Sequence, residues 1–147
     1  MAGADHMIDK LFYYVSDSYD PYENMALEYV LTMTADDQTA IVFLWQNDQT
    51  IVVGRNQNVW KECYVNQIQR DGVRIARRYS GGGAVYHDLG NLNFSFCMKT
   101  ENYNIDQQIT AVIDAVSAFG ADAKSSGRND IVLGDGKVFG KCIFRKR

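Results

Sequence analysis

The run Arg77-Arg78-Tyr79-Ser80-Gly81-Gly82-Gly83-Ala84-Val85-Tyr86-His87-Asp88 constrains this chain more than any other stretch. Three consecutive glycines interrupt a pattern that otherwise reads as strands, Val73 to Arg77 before them and Ala84 to Tyr86 after. Glycine has no β-carbon, so successive N–H groups can approach a ligand closely and the backbone can take φ > 0 without steric penalty. Arg78 adds a guanidinium able to grip phosphate or carboxylate through two parallel bonds, and Ser80 adds a hydroxyl. The stretch therefore reads as an anion-binding loop between two strands. The competing reading is a loose hairpin connection with incidental surface arginines. Neither standard nucleotide fingerprint applies: no Gly-Lys-Ser/Thr follows, and no Gly-x-Gly-x-x-Gly opens a helix.

A chain of 147 residues, 46% of them apolar and 12% aromatic, is one domain's worth of an ordinary globular protein. Its net charge of -3 and isoelectric point near 5.3 argue against general nucleic-acid or membrane-surface binding. The clustered Arg74, Arg77 and Arg78 can still hold one small anion. Cys63, Cys97 and Cys142 are widely spaced with no Cys-x-x-Cys pair, which fits neither a disulfide framework nor a zinc site and points to the cytoplasm. No apolar run approaches the length of a membrane span, and the first residues lack the regions of a signal peptide. Residues 1–6 read as a tag remnant ahead of a native Met7.

The remaining pattern predicts an α+β fold, with a mixed or antiparallel sheet carrying flanking helices rather than regular βαβ alternation. Leu11 to Val15 reads as a strand. Asp20 then caps a helix that begins with Pro21, where a missing N–H does no harm. Tyr22, Met25, Ala26, Tyr29, Val30 and Met33 recur at spacings of three and four and mark its expected core stripe, with Glu23, Asn24 and Glu28 off it. Ala40 to Trp45 and Thr50 to Val53 read as strands joined by the hairpin-length connection Gln46-Asn47-Asp48-Gln49. Trp60 to Gln69 reads as one helix and Asn91 to Met98 as a half-buried strand. Asn104 to Phe119 reads as an amphipathic helix stopped by Gly120. Short strands near Asp130 to Leu133 and Lys137 to Phe139 complete the chain.

Four ordered blocks carry a resemblance. Arg77 to Ser95, RRYSGGGAVYHDLGNLNFS, resembles the signature loop and following strand of the lipoate–protein ligase family. Pro21 to Glu28, Gly54-Arg55-Asn56-Gln57-Asn58, and Gly127-Arg128-Asn129-Asp130-Ile131 with Gly136-Lys137 appear in that family's order. The resemblance implies a fold shared with biotin ligases. It also implies ATP-dependent activation of lipoate to an acyl-adenylate, followed by transfer to a lysine of a lipoyl carrier domain. The implied partners are carriers of 2-oxoacid dehydrogenases or of the glycine cleavage system. Bringing a carboxylate against an α-phosphate joins two anions that repel, so cations and N–H donors are the equipment such a site needs.

Carried over by the resemblance, Arg78, Gly83, Ala84, Val85 and Tyr86 would hold ATP, while Arg78, Ser80, Gly81 and Gly82 would hold lipoate. Lys137 would be the catalytic cation, bridging oxygens of both ligands as a compact charge with three donors. Its other reading is a solvated hairpin lysine. Asp130, with Asn129, could contact Mg²⁺, which takes one or two carboxylates along with phosphate oxygens, or could simply shape a turn. His87 is expected to be structural, because an attacking carboxylate has no proton to lose. Trp45, Val53, Tyr79, Val85 and Phe94 are candidates for an apolar acyl slot or for plain core.

Two departures from the family stand out. Its members run on past Arg147, so unpaired edges, exposed apolar surface and weak activity are expected of this chain alone. The serine that usually follows the lysine is also absent from Val138-Phe139-Gly140. The alternatives are an octanoyltransferase of the same fold using one of the cysteines as nucleophile, and a non-catalytic fragment that binds lipoate, a carrier or another chain.

Overall fold

A computed structural model of the chain describes residues 8–126, 130–134 and 136–140. They fall into two compact units that divide between Asn102 and Tyr103. The first unit holds six strands: β1 (Lys10–Val15), β2 (Thr39–Trp45), β3 (Thr50–Val53), β4 (Arg74–Arg77), β5 (Ala84–His87) and β6 (Asn93–Met98). Its helices are α1 (Pro21–Thr34), α2 (Val59–Glu62) and α3 (Val65–Arg70), with a single 3₁₀ turn at Thr100–Asn102.

Two three-stranded sheets organise this unit. One has the order β1-β2-β6, parallel between β1 and β2 and antiparallel between β2 and β6. The other has the order β4-β3-β5, again one parallel and one antiparallel pair. The expected β2–β3 hairpin is absent, because each strand already has partners on both edges and the two lie in different sheets. The chain passes between them through Asn47, which is fully buried, and Gln49, whose φ of +35° lies in the left-handed region. Polar composition alone made the connection look like a surface turn. Its middle is in fact anchored in the interior.

Asp20 caps α1 as expected, accepting from the N–H groups of Tyr22 and Glu23. The buried face of α1 is rotated from the predicted stripe, however: Tyr22, Ala26 and Val30 are exposed, while Asn24 and Met25 are buried and Glu28 is half-buried. Met25 packs with Phe43, Trp45, Val52 and Ala76, and Leu27 and Leu31 close over them, so one core draws on α1 and both sheets. The polar groups on this face have partners, which is how they avoid the penalty of dry burial. Asn24 Nδ2 donates to the carbonyls of Ser18 and Gln46 at 3.0 and 2.8 Å and to Asn47 Oδ1 at 3.1 Å. The Trp60 to Gln69 segment forms α2 and α3 rather than one helix, broken where Cys63 takes an extended conformation.

The second unit contains α4 (Ile105–Ala118) and the antiparallel sheet β7 (Ala123–Ser126), β8 (Asp130–Leu133) and β9 (Gly136–Gly140), in that order. Asn104 caps α4 by accepting from Asp106 and Gln107, and the chain leaves it through Gly120 at φ +84°. Strand β7, AKSS, carries no apolar alternation and escapes sequence reasoning. A register shift at Ile131/Val132 bends the β8–β9 ladder.

Candidate functional site

The glycine loop runs from the end of β4 to the start of β5, and these strands flank β3 rather than pair with each other. The loop therefore crosses the end of β3 and rests on the residues that leave it. Gly54 N–H donates to Gly83 O at 3.1 Å and Arg55 N–H donates to Ser80 O at 2.9 Å. A β-carbon on Gly54 would stand 1.9 Å from the Gly82 carbonyl oxygen, so only glycine fits there. Gly82 itself has φ +95°. Gly81 and Gly83 differ: their φ values are ordinary and an added β-carbon would meet nothing within 4 Å. Local packing does not require glycine at those two positions, which leaves open space against the backbone on the solvent side. The N–H groups of Gly81, Gly82 and Gly83 have no acceptor among the described residues. Three neighbouring free donors form the kind of concavity that accepts an anion.

Two arginines hold this shape. Arg78 Nη1 donates to Val52 O at 2.9 Å, Nε and Nη2 donate to Gly81 O at 3.2 and 2.9 Å, and Nη2 donates to Gly83 O at 2.9 Å. Each nitrogen of this guanidinium thus ties the loop to itself or to β3, so Arg78 shapes the loop as well as charging it. Arg77 Nη1 does the same for the facing segment, donating to the carbonyls of Gly54, Arg55 and Gln57 at 2.9, 3.2 and 2.8 Å. Helix α1 braces the loop from outside. The ring of Tyr29 stacks on that of Tyr79 at 4.5 Å between centroids, and Tyr22 Oη donates to Ile75 O at 3.1 Å. An open cleft of about 450 Å³ lies here, lined by Tyr29, Arg55, Arg77, Arg78 and Tyr79.

Behind the loop lies a buried polar layer that the sequence did not announce. Asn47 Nδ2 faces His87 Nδ1 at 3.2 Å. Asn47 Oδ1 already accepts from Asn24, so its amide nitrogen is the donor and His87 is neutral with its proton on Nε2. Burial holds the His87 pKa below the ordinary histidine value, and the nearby Arg78 cation lowers it further against the opposing pull of Asp88. Trp45 Nε1 donates to Ser95 Oγ at 3.1 Å, and Ser95 in turn donates to Glu28 Oε1. Burial pushes the Glu28 carboxyl above its usual range, countered by the Ser95 hydrogen bond and the Arg78 charge. The only sequence signal for this layer was the placement of Asn24 and Glu28 on an otherwise apolar helix.

The predicted site residues divide accordingly. Arg78, Ser80, Gly81, Gly82, Gly83, Ala84, Val85 and Tyr86 lie in one continuous segment, with Ser80 buried and Val85 and Tyr86 exposed on β5. Among the acyl-slot candidates, Trp45 and Val53 are buried, with Trp45 in the core cluster, while Tyr79 and Val85 are open to solvent. Lys137 and Asp130 lie in β9 and β8 of the second unit, whose backbone is described; their side chains, Asn129 and Cys142 lie outside the described residues. The described residues contain no group of three or more His, Cys, Asp or Glu side chains able to hold a metal. Cys97 is a buried thiol whose pKa is raised chiefly by burial, the opposite of what activates a nucleophile. No described helix is long and apolar enough to cross a membrane.

Residues 20–147 match the family model of the lipoyl protein ligase A/B catalytic domain. The lipoate-protein ligase A of Blochmanniella floridana is 46% identical over 131 residues, a match covering 86% of this chain and 39% of that protein. Among solved structures, LipL1 of P. falciparum in complex with lipoate superimposes with a TM-score of 0.78 at 35% identity, covering 87% of this chain and 42% of that one. A lipoate-protein ligase A bound with ATP gives 0.73 at 27% identity, covering 93% and 62% respectively. The chain thus spans well under half the length of the Blochmanniella relative.

Proposed function

Because the chain belongs to the lipoyl protein ligase A/B catalytic domain family, we propose that it supplies the lipoate- and nucleotide-binding part of an ATP-dependent lipoate–protein ligase. In the first step a carboxylate oxygen of lipoate attacks the α-phosphorus of ATP. The new O–P bond forms as the bond to the bridging oxygen of the β-phosphate breaks, and pyrophosphate leaves with the electron pair. In the second step a lysine amine of a lipoyl carrier domain attacks the acyl carbon of lipoyl-AMP. An amide forms, AMP departs and the amine proton passes to solvent.

The observation that carries this reading is the glycine loop. Its three N–H groups have no acceptor among the described residues, space for a β-carbon is open at Gly81 and Gly83, and the loop borders an arginine-lined cleft. Fixed donors of this kind stabilise charge that builds during attack without having to reorganise. Gly83 to Tyr86 would take the nucleotide, Ser80 to Gly82 the acyl carboxylate, and Arg78 would keep the loop in register for both. Lys137 would neutralise the repulsion between the two ligands. His87, neutral and bonded to Asn47, would act structurally beneath the loop. Mg²⁺ would travel with the phosphates of ATP, with Asp130 as its candidate protein ligand.

The test is pyrophosphate release on mixing the chain with lipoate and ATP, beside Lys137→Ala. Lipoate-dependent release that falls at least about a hundredfold in the variant is expected for loss of a transition-state cation. Equal release from both proteins would remove Lys137 from the mechanism, and no release from either would remove adenylation from this chain.

A further inference from the structure

The cleft beside the glycine loop holds more positive charge than loop shaping requires. Its lining contains three arginines, two tyrosines and no carboxylate. Among the described residues the ion pairs are Lys99–Asp37 and Lys124–Asp122, so none of these guanidinium groups forms a direct ion pair, although the Arg78 charge also acts on the half-buried Glu28. Converging like charges repel, and a fold keeps them together at a cost unless an anion joins them. Arg78 has all three nitrogens engaged with carbonyls. Among the described residues Arg77 donates through Nη1 alone, which leaves Nε and Nη2 without acceptors there. The Arg55 side chain makes no hydrogen bond or ion pair among the described residues, although its backbone is pinned to Ser80. The stacked Tyr29–Tyr79 pair gives the cleft a firm wall.

We propose that Arg55, the free edge of Arg77 and Tyr79 form a subsite for a phosphate chain on the outer side of the glycine loop, next to the segment assigned to the nucleotide. Its ligand is a phosphate-type polyanion, and forked guanidinium donors suit its paired oxygens. Two sources share that chemistry, the terminal phosphates of a bound nucleotide and free pyrophosphate. The first source rests on the proposed ATP-dependent function; the subsite itself does not. Placed there, Arg55 would draw negative charge away from the α-phosphate as the leaving group departs.

Calorimetric titration of the whole chain with sodium pyrophosphate at low ionic strength tests the site. Pyrophosphate should bind, and Arg55→Gln should weaken it by about tenfold or more while leaving the circular dichroism spectrum unchanged, since Arg55 is exposed. Arg55→Lys, which keeps the charge and loses the fork, should fall between the two. ATP and AMP distinguish the sources: competition with pyrophosphate by ATP but not by AMP places the nucleotide's terminal phosphates in the cleft, whereas simultaneous binding of ATP and pyrophosphate assigns it to the free anion. Absence of millimolar pyrophosphate binding, or equal affinity in wild type and Arg55→Gln, would overturn the subsite. Failure of lipoate-dependent adenylation with Arg55-dependent pyrophosphate binding intact would count against the ligase reading alone.

Discussion

Gly54 and Gly81 separate two reasons for a glycine that look the same in sequence. At Gly54 a β-carbon would meet the Gly82 carbonyl oxygen at 1.9 Å, a backbone atom that can move only if the loop moves. Gly54→Ala should therefore destabilise the protein by about 1–3 kcal/mol, the usual range for forced overpacking, and should displace the loop from the end of β3. At Gly81 the added methyl meets nothing within 4 Å, and Gly81→Ala should stay within about 0.5 kcal/mol of wild type. Ligand binding should rank them differently, because a methyl at Gly81 occupies the space the ligand needs. Urea denaturation of both variants beside ATP and lipoate titration checks this; equal stability losses would mean that the close approach at Gly54 is not what shapes the loop. The importance of the triple glycine was legible from the sequence, since few other reasons put three glycines between two strands. That Gly82 bends, Gly81 and Gly83 leave room, and Gly54 provides the seat was not, because two helices and a strand separate Gly54 from the loop along the chain. The same holds for Arg78: its charge was readable, but its hydrogen bonds depend on which carbonyls the fold brings within reach.

Among the elements, those with local signals matched their prediction. Asp20-Pro21 and Asn104 began their helices where capping chemistry places them, because caps act within a few residues. Strand pairing did not follow from adjacency: β2 and β3 are neighbours in the chain and belong to different sheets, a choice made by long-range partners that period-two alternation cannot specify. The buried face of α1 was misjudged because hydrogen-bonded Asn24 and Glu28 occupy positions that an apolar count assigns to solvent. A different edge is open at β1, which borders its sheet and pairs with β2 alone among the described residues. Leu11, Tyr13 and Val15 project from one side of this strand with exposures of 71, 80 and 57%, and Phe12 and Tyr14 from the other. An apolar edge strand with free backbone groups is a template for another strand. Sedimentation velocity over a concentration series should show self-association of the chain, and Tyr13→Lys should shift it towards monomer without loss of helix content. A wild-type chain that stays monomeric across the micromolar range would show that β1 does not act as such a template.

Across the whole molecule, Glu28 and His87 give stability opposite dependences on pH, although burial is the leading cause of both shifts. The folded-state pKa of Glu28 lies above its ordinary value of 4.5. Its contribution is therefore fully present below pH 4.5 and is lost as pH rises through the raised value, where a charge must be held inside. The folded-state pKa of His87 lies below its ordinary 6.5, so its contribution is present above pH 6.5 and is lost as pH falls through the depressed value. Arg78 enters both, favouring the ionised carboxylate and the neutral imidazole, so the loop's cation couples the two groups. Thermal midpoints of wild type, Glu28→Gln and His87→Asn between about pH 4.5 and 8 resolve the two contributions. Relative to wild type, Glu28→Gln should gain stability as pH rises, because the variant has no buried carboxylate to ionise. His87→Asn should compare worst above pH 6.5, where the neutral imidazole completes its hydrogen bond to Asn47, and should recover towards wild type in acid, where wild type alone must shed a proton to fold. Parallel curves for all three proteins would mean that neither group titrates differently on folding. In that case the layer beneath the glycine loop would be wetter than its burial implies, and Arg78 would act on the loop through its hydrogen bonds alone.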